Sequence, residues 1–398
     1  MRNVVFVDGC RTPFGKMGGA LRNHFMTDLG AIAVKGLIER CRLLERSKVD
    51  KVFSGSALHD VRSVNPARYI ALAAGLPHDT SASYIEMQCG SAIDCINHAA
   101  WAISSGAADV IIAGGAESYS QAFAKFSMSI EPFRLNPPYA VPNRIAPSDD
   151  DNLGMVEISD LLAKKWGIGR VECDEFALRS QRKARQAIES GTIGEDIVPV
   201  EVCGGTRNSV ASFEKDEQPR PDTTLADLAR LKTILPDGVT TAGNASGRND
   251  GAAYVLLMSE QEAERCGLHP CARWIGGMDV GVDPRLMGIG PARSNVLLMR
   301  KYGLHAHDVD IFECNEAFAA QNLAVIKEME TLLGEDIDRE DWNPNGGAIA
   351  LGHPNGASGA RIAISAMREL HRRGGRYAII SSCCGGGLGV SALMERIG

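Results

Sequence analysis

Apolar residues along this chain form short runs and stripes that recur every three or four residues. The short runs are bounded by turn residues and predict β-strands. They lie at 3–7, 52–54, 83–87, 109–113, 310–314 and 376–380. The stripes predict helices. They lie at 65–74, 92–105 and 171–189, after Thr27 and after His353. Strands that alternate with helices predict an α/β fold, with mostly parallel sheets covered by helices on both sides.

One unit of this pattern occurs twice. The first copy runs from a small-residue turn at Cys89 through a helix and a glycine stop to the strand 109–113 and a glycine loop. The second runs from Ser358 through a helix and a glycine stop to the strand 377–380 and the glycines from Gly385. The repetition predicts an internal duplication. Two such halves, placed back to back, would bring their loops to one shared cleft.

The segment 119–245 interrupts the duplicated pattern. It is rich in proline, aspartate and asparagine, and it contains one clear helix, at 171–189. We interpret it as a lid or loop domain inserted into the first half. The predicted domains are therefore an N-terminal half at 1–270, which includes this lid, and a C-terminal half at 271–398.

Composition narrows the possible functions. Among the 398 residues, 44% are hydrophobic and 23% are charged, as in ordinary soluble proteins. A net charge of −7 and the lack of a dense Lys/Arg run argue against a nucleic-acid partner. No apolar run approaches the roughly 18 residues of a membrane span.

The cysteines and the chain ends predict a location. Eleven cysteines without a signal peptide favour free thiols in a reducing cytoplasm rather than a disulfide framework. Neither a transit peptide nor a peroxisomal address is visible at the ends. Cys266 and Cys271 flank His269, but one such group lacks the second ligand pair of a structural zinc site.

Three side chains suggest covalent chemistry. Cys89 precedes a helix, where the helix dipole favours a thiolate. The second half supplies another thiol, Cys383 or Cys384, and the loop imidazole of His353. A nucleophilic thiol, a second thiol and an imidazole suit acyl transfer through a covalent thioester. A cysteine hydrolase would need only the first thiol and the imidazole.

Six motifs, taken together in order, resemble those of the thiolases over nearly the whole chain. They are AGGAES at 113–118, TAGNASGRNDGAA at 241–253, MGIGP at 287–291, NEAFAAQ at 315–321, NGGAIALGHPNGASGAR at 345–361 and CCGGGLG at 383–389. The resemblance implies two similar αβαβα halves that give five layers, with an inserted lid. It also implies reversible Claisen condensation of acyl-CoA with acetyl-CoA, or thiolytic cleavage of 3-oxoacyl-CoA.

The resemblance also implies catalytic roles. Cys89 would be the acylated nucleophile, and His353 would activate it and donate to the thioester oxygen. Cys383 would be the general acid/base, because the family pattern places that cysteine before the glycine triplet with one residue between them, which is Cys384 here. Asn315 would hold a water in the same oxyanion hole. The N–H groups of Cys89 and Gly385 would form a second hole.

Binding roles follow from the same motifs. Ser246 would contact the pantetheine arm of CoA, and Arg220 would meet a CoA phosphate. Phe318 and Met287 would belong to the substrate and CoA surface. The family implies CoA and acyl-CoA as substrates, no permanently bound cofactor or metal, and a homodimer or homotetramer.

Four residues depart from the family pattern. Glu86 stands where the family usually has asparagine, Asn355 replaces an apolar residue, and Arg248 replaces a small or apolar one. Leu235 stands where an aromatic residue often packs on adenine. All concern substrate or CoA recognition, so the acyl chain length and the reaction direction stay open.

Two rival functions remain at this point. A decarboxylating ketoacyl synthase shares the fold but lacks a cysteine base, which the CCGGG motif opposes. A non-catalytic scaffold subunit that binds acyl-CoA is the rival from another class.

Overall fold

The computed structural model describes residues 2–127, 138–204 and 209–398. Its strands are β1 Val4–Arg11, β2 Gly15–Lys16, β3 Lys51–Gly55, β4 Ser81–Ile85, β5 Val110–Ser118, β6 Val200–Cys203, β7 Val210–Phe213, β8 Asn249–Ser259, β9 Ala272–Gly281, β10 Ile311–Cys314, β11 Tyr377–Cys384 and β12 Leu388–Arg396. Its α-helices are α1 Met26–Cys41, α2 Leu43–Arg46, α3 Pro66–Ala73, α4 Ser91–Ser104, α5 Met155–Trp166, α6 Arg170–Glu189, α7 Leu225–Ala229, α8 Glu260–Arg265, α9 Gly290–Tyr302, α10 Ala319–Leu333, α11 Ala348–Leu351 and α12 Asn355–Arg373. Short 3-10 turns lie at Gln88–Gly90, Gly194–Asp196, Pro284–Ile289 and Ala306–Asp308.

Within the described residues, ten strands form one hydrogen-bonded sheet in the order β10-β11-β12-β9-β1-β8-β5-β3-β4, with β2 paired to β8. Its two halves meet where β1 pairs with β9 over three residues, from Val4 opposite Trp274 to Phe6 opposite Ala272. Each half contains the same arrangement, in which a parallel pair of strands is followed by an antiparallel strand. The parallel pair β3–β5 and the antiparallel return β8 in one half correspond to β10–β11 and β12 in the other. The duplication predicted from the sequence is confirmed.

The two halves share a central helical layer of α4 and α12. One apolar cluster joins these helices to the inner faces of both halves, with Ile111 and Val255 on one side and Ile380 and Ala392 on the other. A second cluster packs α1 and α3 on the outer face of the first half. A third packs α9, α10 and the lid helices α5 and α6 on the outer face of the second. Helices and sheet halves therefore form the five layers that the motifs implied.

The prediction of mostly parallel sheets is wrong. The pairs β3–β4, β3–β5 and β10–β11 are parallel, whereas β1–β8, β1–β9, β5–β8, β9–β12 and β11–β12 are antiparallel. The reason is visible at β11, where three glycines turn the chain straight back into β12. Gly386 and Gly387 have φ values of 92° and 88°, which only glycine adopts readily. Such a short return cannot make the crossover that a parallel pair needs.

The lid contains more regular structure than its composition indicates. Helix α6 begins at Arg170, close to the prediction, but the helices α5 and α7 and the small β6–β7 sheet were not predicted. Helix α5 buries Ile158, Leu162 and Ala163 against the third cluster, so tertiary packing stabilises it beside a proline-rich stretch. Residues 128–137 and 205–208, which the sequence assigns to the lid, lie outside the described residues.

The N-terminal cap of helix α10 is Phe318, so Asn315 lies in the short segment that joins β10 to α10. Across the described residues, no helix is long and apolar enough to cross a membrane.

Candidate active site

Cys89 lies in the 3-10 turn that joins β4 to α4. The residue before it, Gln88, has φ 48°, a left-handed conformation that is uncommon outside glycine. Ser91 closes the turn, because its Oγ accepts from Met87 N at 2.9 Å and donates to the Gln88 carbonyl at 2.7 Å. Gly90 lets the turn approach β11 and β12, because a Cβ there would overlap the sulfur of Cys384.

His353 reaches Cys89 from the loop between α11 and α12. Its Nε2 lies 3.2 Å from Cys89 Sγ, and its main-chain N donates to Asn249 Oδ1 at 2.9 Å. Its Nδ1 lies 2.6 Å from the hydroxyl of Ser358, which itself donates to the Pro354 carbonyl at 3.1 Å. Because Ser358 uses its proton on that carbonyl, its oxygen accepts from His353 Nδ1–H. The bare Nε2 is then free to accept the thiol proton of Cys89.

Asn315 contacts the same ring nitrogen of His353 that faces Cys89. Its Nδ2 is 3.4 Å from His353 Nε2, and its main-chain N donates to the Ser381 carbonyl at 2.9 Å. Its Oδ1 is buried and has no hydrogen-bond partner among the described residues. This oxygen is therefore available to a small molecule in the cleft.

Cys383 and Cys384 are both fully buried at the end of β11. Cys383 packs in the cluster of α9 and α10 with Cys314, whereas Cys384 packs in the central cluster with Val390. Their side chains thus lie on opposite faces, as strand alternation predicts. Gly385 follows, and a Cβ there would lie 3.3 Å from Gln88 Cγ, so this turn also borders the Cys89 turn.

Burial dominates the electrostatics of Cys89. Although Cys89 keeps some exposure, burial of its surroundings raises the pKa of its thiol to about 12, and the charge of Glu117 adds to the rise. Burial lowers the pKa of His353 to about 3, with a further contribution from Arg361. The expectation that a helix start would leave Cys89 as a thiolate is therefore wrong. Desolvation of the sulfur outweighs the helix dipole.

The sequence did not identify Glu117 as part of the site. This buried carboxylate accepts hydrogen bonds from Ser56 Oγ at 2.8 Å, Ala57 N at 2.8 Å, Leu58 N at 3.1 Å and Gly356 N at 3.1 Å. It therefore connects the segment after β3 to the first turn of α12. Burial raises its pKa to about 7, despite these four donors. Its place in the AGGAES motif was the available signal.

Two more polar side chains were also missed. Asn355, the first residue of α12, points its Nδ2 at Cys89 Sγ, 3.4 Å away. Its Oδ1 accepts from the hydroxyl of Tyr119 at 3.1 Å. The departure of Asn355 from the family pattern was the only signal for this contact.

The residues predicted to bind CoA are not all brought together. Ser246 donates its main-chain N–H to the Ala317 carbonyl at 3.0 Å, and the neighbouring Ala245 forms a bridge with Phe318. Met287 is buried in the 3-10 turn before α9. Arg220 is exposed, and no contact among the described residues joins its side chain to the others. Nor do the described residues contain a group of His, Cys, Asp or Glu side chains that could hold a metal ion.

Two family models cover almost the whole chain. The thiolase N-terminal domain matches residues 4–261, and the thiolase C-terminal domain matches residues 268–396. The chain belongs to the thiolase family. Among its curated relatives, the 3-oxoadipyl-CoA/3-oxo-5,6-dehydrosuberyl-CoA thiolase of Escherichia coli is 43% identical over all of both chains. The beta-ketoadipyl-CoA thiolase of Pseudomonas aeruginosa is 40% identical, again over all of both chains.

Solved structures agree with this assignment. The acetyl-CoA acetyltransferase of Bacillus anthracis superposes with a TM-score of 0.91 and is 40% identical, with 100% of this chain and 99% of that chain covered. Human mitochondrial 3-ketoacyl-CoA thiolase in complex with CoA gives a TM-score of 0.90 at 36% identity, with 100% and 98% covered. This thiolase is thus a CoA-dependent acyltransferase that forms or cleaves 3-oxoacyl-CoA. These relatives do not favour the ketoacyl synthase or the scaffold subunit.

The pKa values of the pair predict a pH profile for Cys89. The thiol is neutral below its pKa of about 12 and the imidazole is neutral above its pKa of about 3. Alkylation of Cys89 by iodoacetamide should therefore rise steadily from about pH 5 to about pH 9 without a plateau, because only the thiolate reacts. Ionisation of Glu117 near pH 7 adds negative charge and opposes the rise.

The rate constant is measured at each pH by mapping the alkylated peptide. Urea-unfolded protein, with a thiol pKa of about 8.5, is the reference. A plateau that begins at acidic pH would reveal a thiolate–imidazolium pair and contradict the neutral pair.

Proposed function

We propose that this thiolase carries the acyl group on Cys89, with His353 as the acceptor of the thiol proton and Cys383 as the acid/base for the second substrate. The observation that supports this proposal most directly is the 3.2 Å contact between Cys89 Sγ and His353 Nε2, with the Ser358 hydroxyl bonded to the other ring nitrogen. A nucleophile, a base and a group that orients the base make up the arrangement that activates a weak nucleophile.

In the first half-reaction, the sulfur of Cys89 attacks the thioester carbonyl as its proton moves to His353 Nε2. The new S–C bond forms and the bond from that carbon to the sulfur of CoA breaks. CoA leaves with the proton from His353. In thiolysis the attacked carbon is the 3-oxo carbonyl, and the bond that breaks is the C–C bond to acetyl-CoA.

In the second half-reaction of synthesis, the thiolate of Cys383 removes an α-proton from the second acyl-CoA. The carbanion attacks the acyl carbon, a C–C bond forms and the bond from that carbon to Cys89 Sγ breaks. The departing sulfur of Cys89 takes up, through His353, the proton that Cys383 holds, which returns Cys383 to its thiolate. In thiolysis these steps run in reverse, and Cys383 gives the proton to the departing acetyl-CoA carbanion. Burial, with a contribution from the neighbouring Cys89, raises the pKa of Cys383 well above its usual value, so its thiolate is a strong base toward the α-carbon.

Two oxyanion holes complete the proposal. The unpartnered Oδ1 of Asn315 supports its role in holding a water beside His353. The N–H groups of Cys89 and Gly385 supply the second hole. A Cβ on Gly385 would lie 3.3 Å from Gln88 Cγ, and this close approach of the two turns supports the proximity of the two N–H groups. Donors fixed in advance at such positions stabilise developing negative charge without reorganisation.

We assign the CoA arm to the surface that contains Ser246 and Phe318, with Arg220 at a phosphate, and Met287 lies buried in the cluster against which Phe318 packs. CoA enters as a substrate, and no resident cofactor takes part in the scheme. A cytoplasmic location is supported by the free thiols at all eleven cysteines.

The two adjacent thiols give the first test of these roles. Acetyl-CoA should leave an acetyl adduct on Cys89. Cys383→Ala should still accept this adduct but lose C–C bond formation, because general acid/base catalysis contributes about 10²–10⁴ in rate. Cys384→Ala should keep most of the activity, because its sulfur packs behind the Cys89 turn. Peptide mass mapping and turnover measure these outcomes.

Cys384→Ala is the matched control for Cys383→Ala, since both remove one buried sulfur. An adduct on Cys383, or a dead Cys384→Ala beside an active Cys383→Ala, would overturn the assignment.

We further propose a substrate with a terminal carboxylate, recognised by Arg248. Arg248 is exposed and precedes Asn249, which holds the main chain of His353. Burial raises the pKa of Tyr119 above its ordinary value and nearby Arg248 opposes the rise, which supports a position close to the acyl end of the site. Relatives named for 3-oxoadipyl-CoA and beta-ketoadipyl-CoA handle acyl chains of this class.

Replacing Arg248 should shift this preference. Arg248→Val should lower kcat/KM for 3-oxoadipyl-CoA about tenfold to hundredfold relative to 3-oxohexanoyl-CoA, since a hydrogen bond to a charged group contributes about 1.5–3 kcal/mol. The two substrates differ only in the terminal carboxylate. Arg265→Val is the control, because that arginine follows the opposite end of β8. An unchanged ratio in Arg248→Val refutes the role.

We propose that the chain forms a homodimer through the free edge of β4, which pairs only with β3 in the sheet of the described residues. Exposed apolar side chains lie on α3 and in the segment before it, including Val64, Tyr69 and Leu72. Two-fold pairing of β4 with its symmetry mate would cover both features.

Light scattering should therefore give a mass of twice 42.6 kDa, or a multiple of that dimer if a homotetramer forms. The double variant Val64→Asp, Tyr69→Lys should halve the mass of the dimer. A wild-type mass of 42.6 kDa, or a variant that keeps the wild-type mass, contradicts this interface.

A further inference from the structure

Asn355 contacts the reacting atom of the site and has no role in the scheme above. Its amide nitrogen lies 3.4 Å from Cys89 Sγ, on the helix that follows the His353 loop. Only His353 and Asn355 are hydrogen-bond partners of that sulfur among the described residues.

Tyr119 fixes which end of the amide faces the sulfur. Its hydroxyl lies 3.1 Å from Asn355 Oδ1. Burial raises the pKa of Tyr119, with a contribution from Glu117, so the phenol keeps its proton and donates it. An amide whose oxygen accepts from Tyr119 must present its NH₂ group to Cys89.

The backbone around Asn355 is also held in place. The next residue, Gly356, donates its main-chain N–H to the carboxylate of Glu117 at 3.1 Å. A Cβ on Gly356 would lie 2.6 Å from the carbonyl oxygens of Gly55 and Ala116, so the helix start is pressed against the sheet. These contacts hold the main chain beside Asn355, and the hydrogen bond from Tyr119 holds the amide itself.

We propose that Asn355 is a catalytic residue that donates a hydrogen bond to the sulfur of Cys89 as the thiol loses its proton, and that Tyr119 is its positioning residue. The inference rests on the proposed role of Cys89 as the nucleophile. The proton moves from Sγ to His353 Nε2, and the sulfur electron pair then forms the bond to the acyl carbon. Between these events the sulfur is negative, and the Asn355 N–H opposes the cost of that charge in a buried site.

The donor matters more in this chain because its thiol is hard to ionise. Burial, together with the charges of Glu117 and Glu86, raises the pKa of Cys89 to about 12. Once acylated, the sulfur carries no charge and accepts hydrogen bonds weakly. The contact thus strengthens while the sulfur is charged and weakens in the intermediate, as transition-state stabilisation requires.

The test compares acylation with alkylation in Asn355→Leu, Tyr119→Phe and the wild type. Acylation of Cys89 by acetyl-CoA is followed in a single turnover by rapid quench and peptide mass mapping. Alkylation by iodoacetamide at the same pH needs the thiolate but not the CoA surface or the acyl carbonyl. Glu117, Glu86 and His353 are unchanged in every variant.

Asn355→Leu should lower both rate constants about tenfold to hundredfold, because a hydrogen bond to a charged atom is lost. Half-saturation by acetyl-CoA should stay unchanged, because the amide acts on the sulfur. Tyr119→Phe should lower both rates in the same direction but less. Tyr84→Phe is the matched control, since its hydroxyl bonds only the Ser56 carbonyl among the residues that the structure describes, and it should leave both rates unchanged.

Wild-type rates in Asn355→Leu, or a loss confined to one of the two reactions, would overturn the inference. If thermal unfolding shows that Asn355→Leu does not fold, the test rests on Tyr119→Phe alone. Acylation and alkylation rates in Tyr119→Phe that equal those in Tyr84→Phe would then reject the proposal. An acetyl adduct that maps outside Cys89 in the wild type would instead refute the proposed function.

Discussion

The close approach of α4 and α12 to the ends of β5 and β11 is the constraint on which the site depends. Gly90, just before α4, leaves no room for a Cβ beside the sulfur of Cys384. Gly356, at the start of α12, leaves none beside the carbonyl oxygens of Gly55 and Ala116. Because both helix starts pack this tightly against the sheet, the residues that flank them are held in fixed positions. The thiol of Cys89 and the imidazole of His353, which are distant in sequence, therefore meet at 3.2 Å.

The same tight packing sets the chemical state of the site. It removes water from Cys89 and His353, and it pushes both toward their neutral forms. Nearby buried charges reinforce this, because Glu117 disfavours a thiolate and Arg361 disfavours an imidazolium. A neutral pair does not repel the negative substrate CoA and stores its proton within reach of the base. Transfer of the proton from Cys89 to His353 leaves a negative sulfur. Hydrogen-bond donors that act on this charged sulfur must offset the free-energy cost of forming it.

The sequence supplied the architecture because the duplicated unit is local. Each copy of helix, glycine stop and strand is encoded by contiguous residues, so the meeting of the Cys89 and His353 loops followed from the repetition alone. The strand directions were mispredicted because a glycine turn lets a strand pair antiparallel with the one before it. Hydrophobic periodicity carries no information about such turns. Glu117, Ser358 and Tyr119 escaped notice because their partners lie elsewhere in the chain or one helical turn away, and a lone polar residue carries no sign of its partner.

The ionisation of Cys89 escaped prediction for a related reason. A helix start is visible in the sequence and favours a thiolate, whereas the burial that opposes it comes from many separate segments. Local patterns therefore led to Cys89 as the proposed nucleophile and gave the wrong direction for the shift of its pKa. The departures at Asn355 and Arg248 were visible from the start, yet their meaning depended on two contacts that only the fold makes, Tyr119 with Asn355 and Asn249 with His353.

The two halves use equivalent positions for different chemistry. Before the central helix, one half places the thiol of Cys89 and the other places the imidazole of His353. In the last residues of the equivalent strands, β5 carries the carboxylate of Glu117 and β11 carries the thiol of Cys383. Each half thus places one polar side chain before its central helix and one ionisable side chain near the end of the equivalent strand. The contact between Cys89 and His353, on which the proposed mechanism rests, joins the two halves, so it depends on their packing through the shared helical layer.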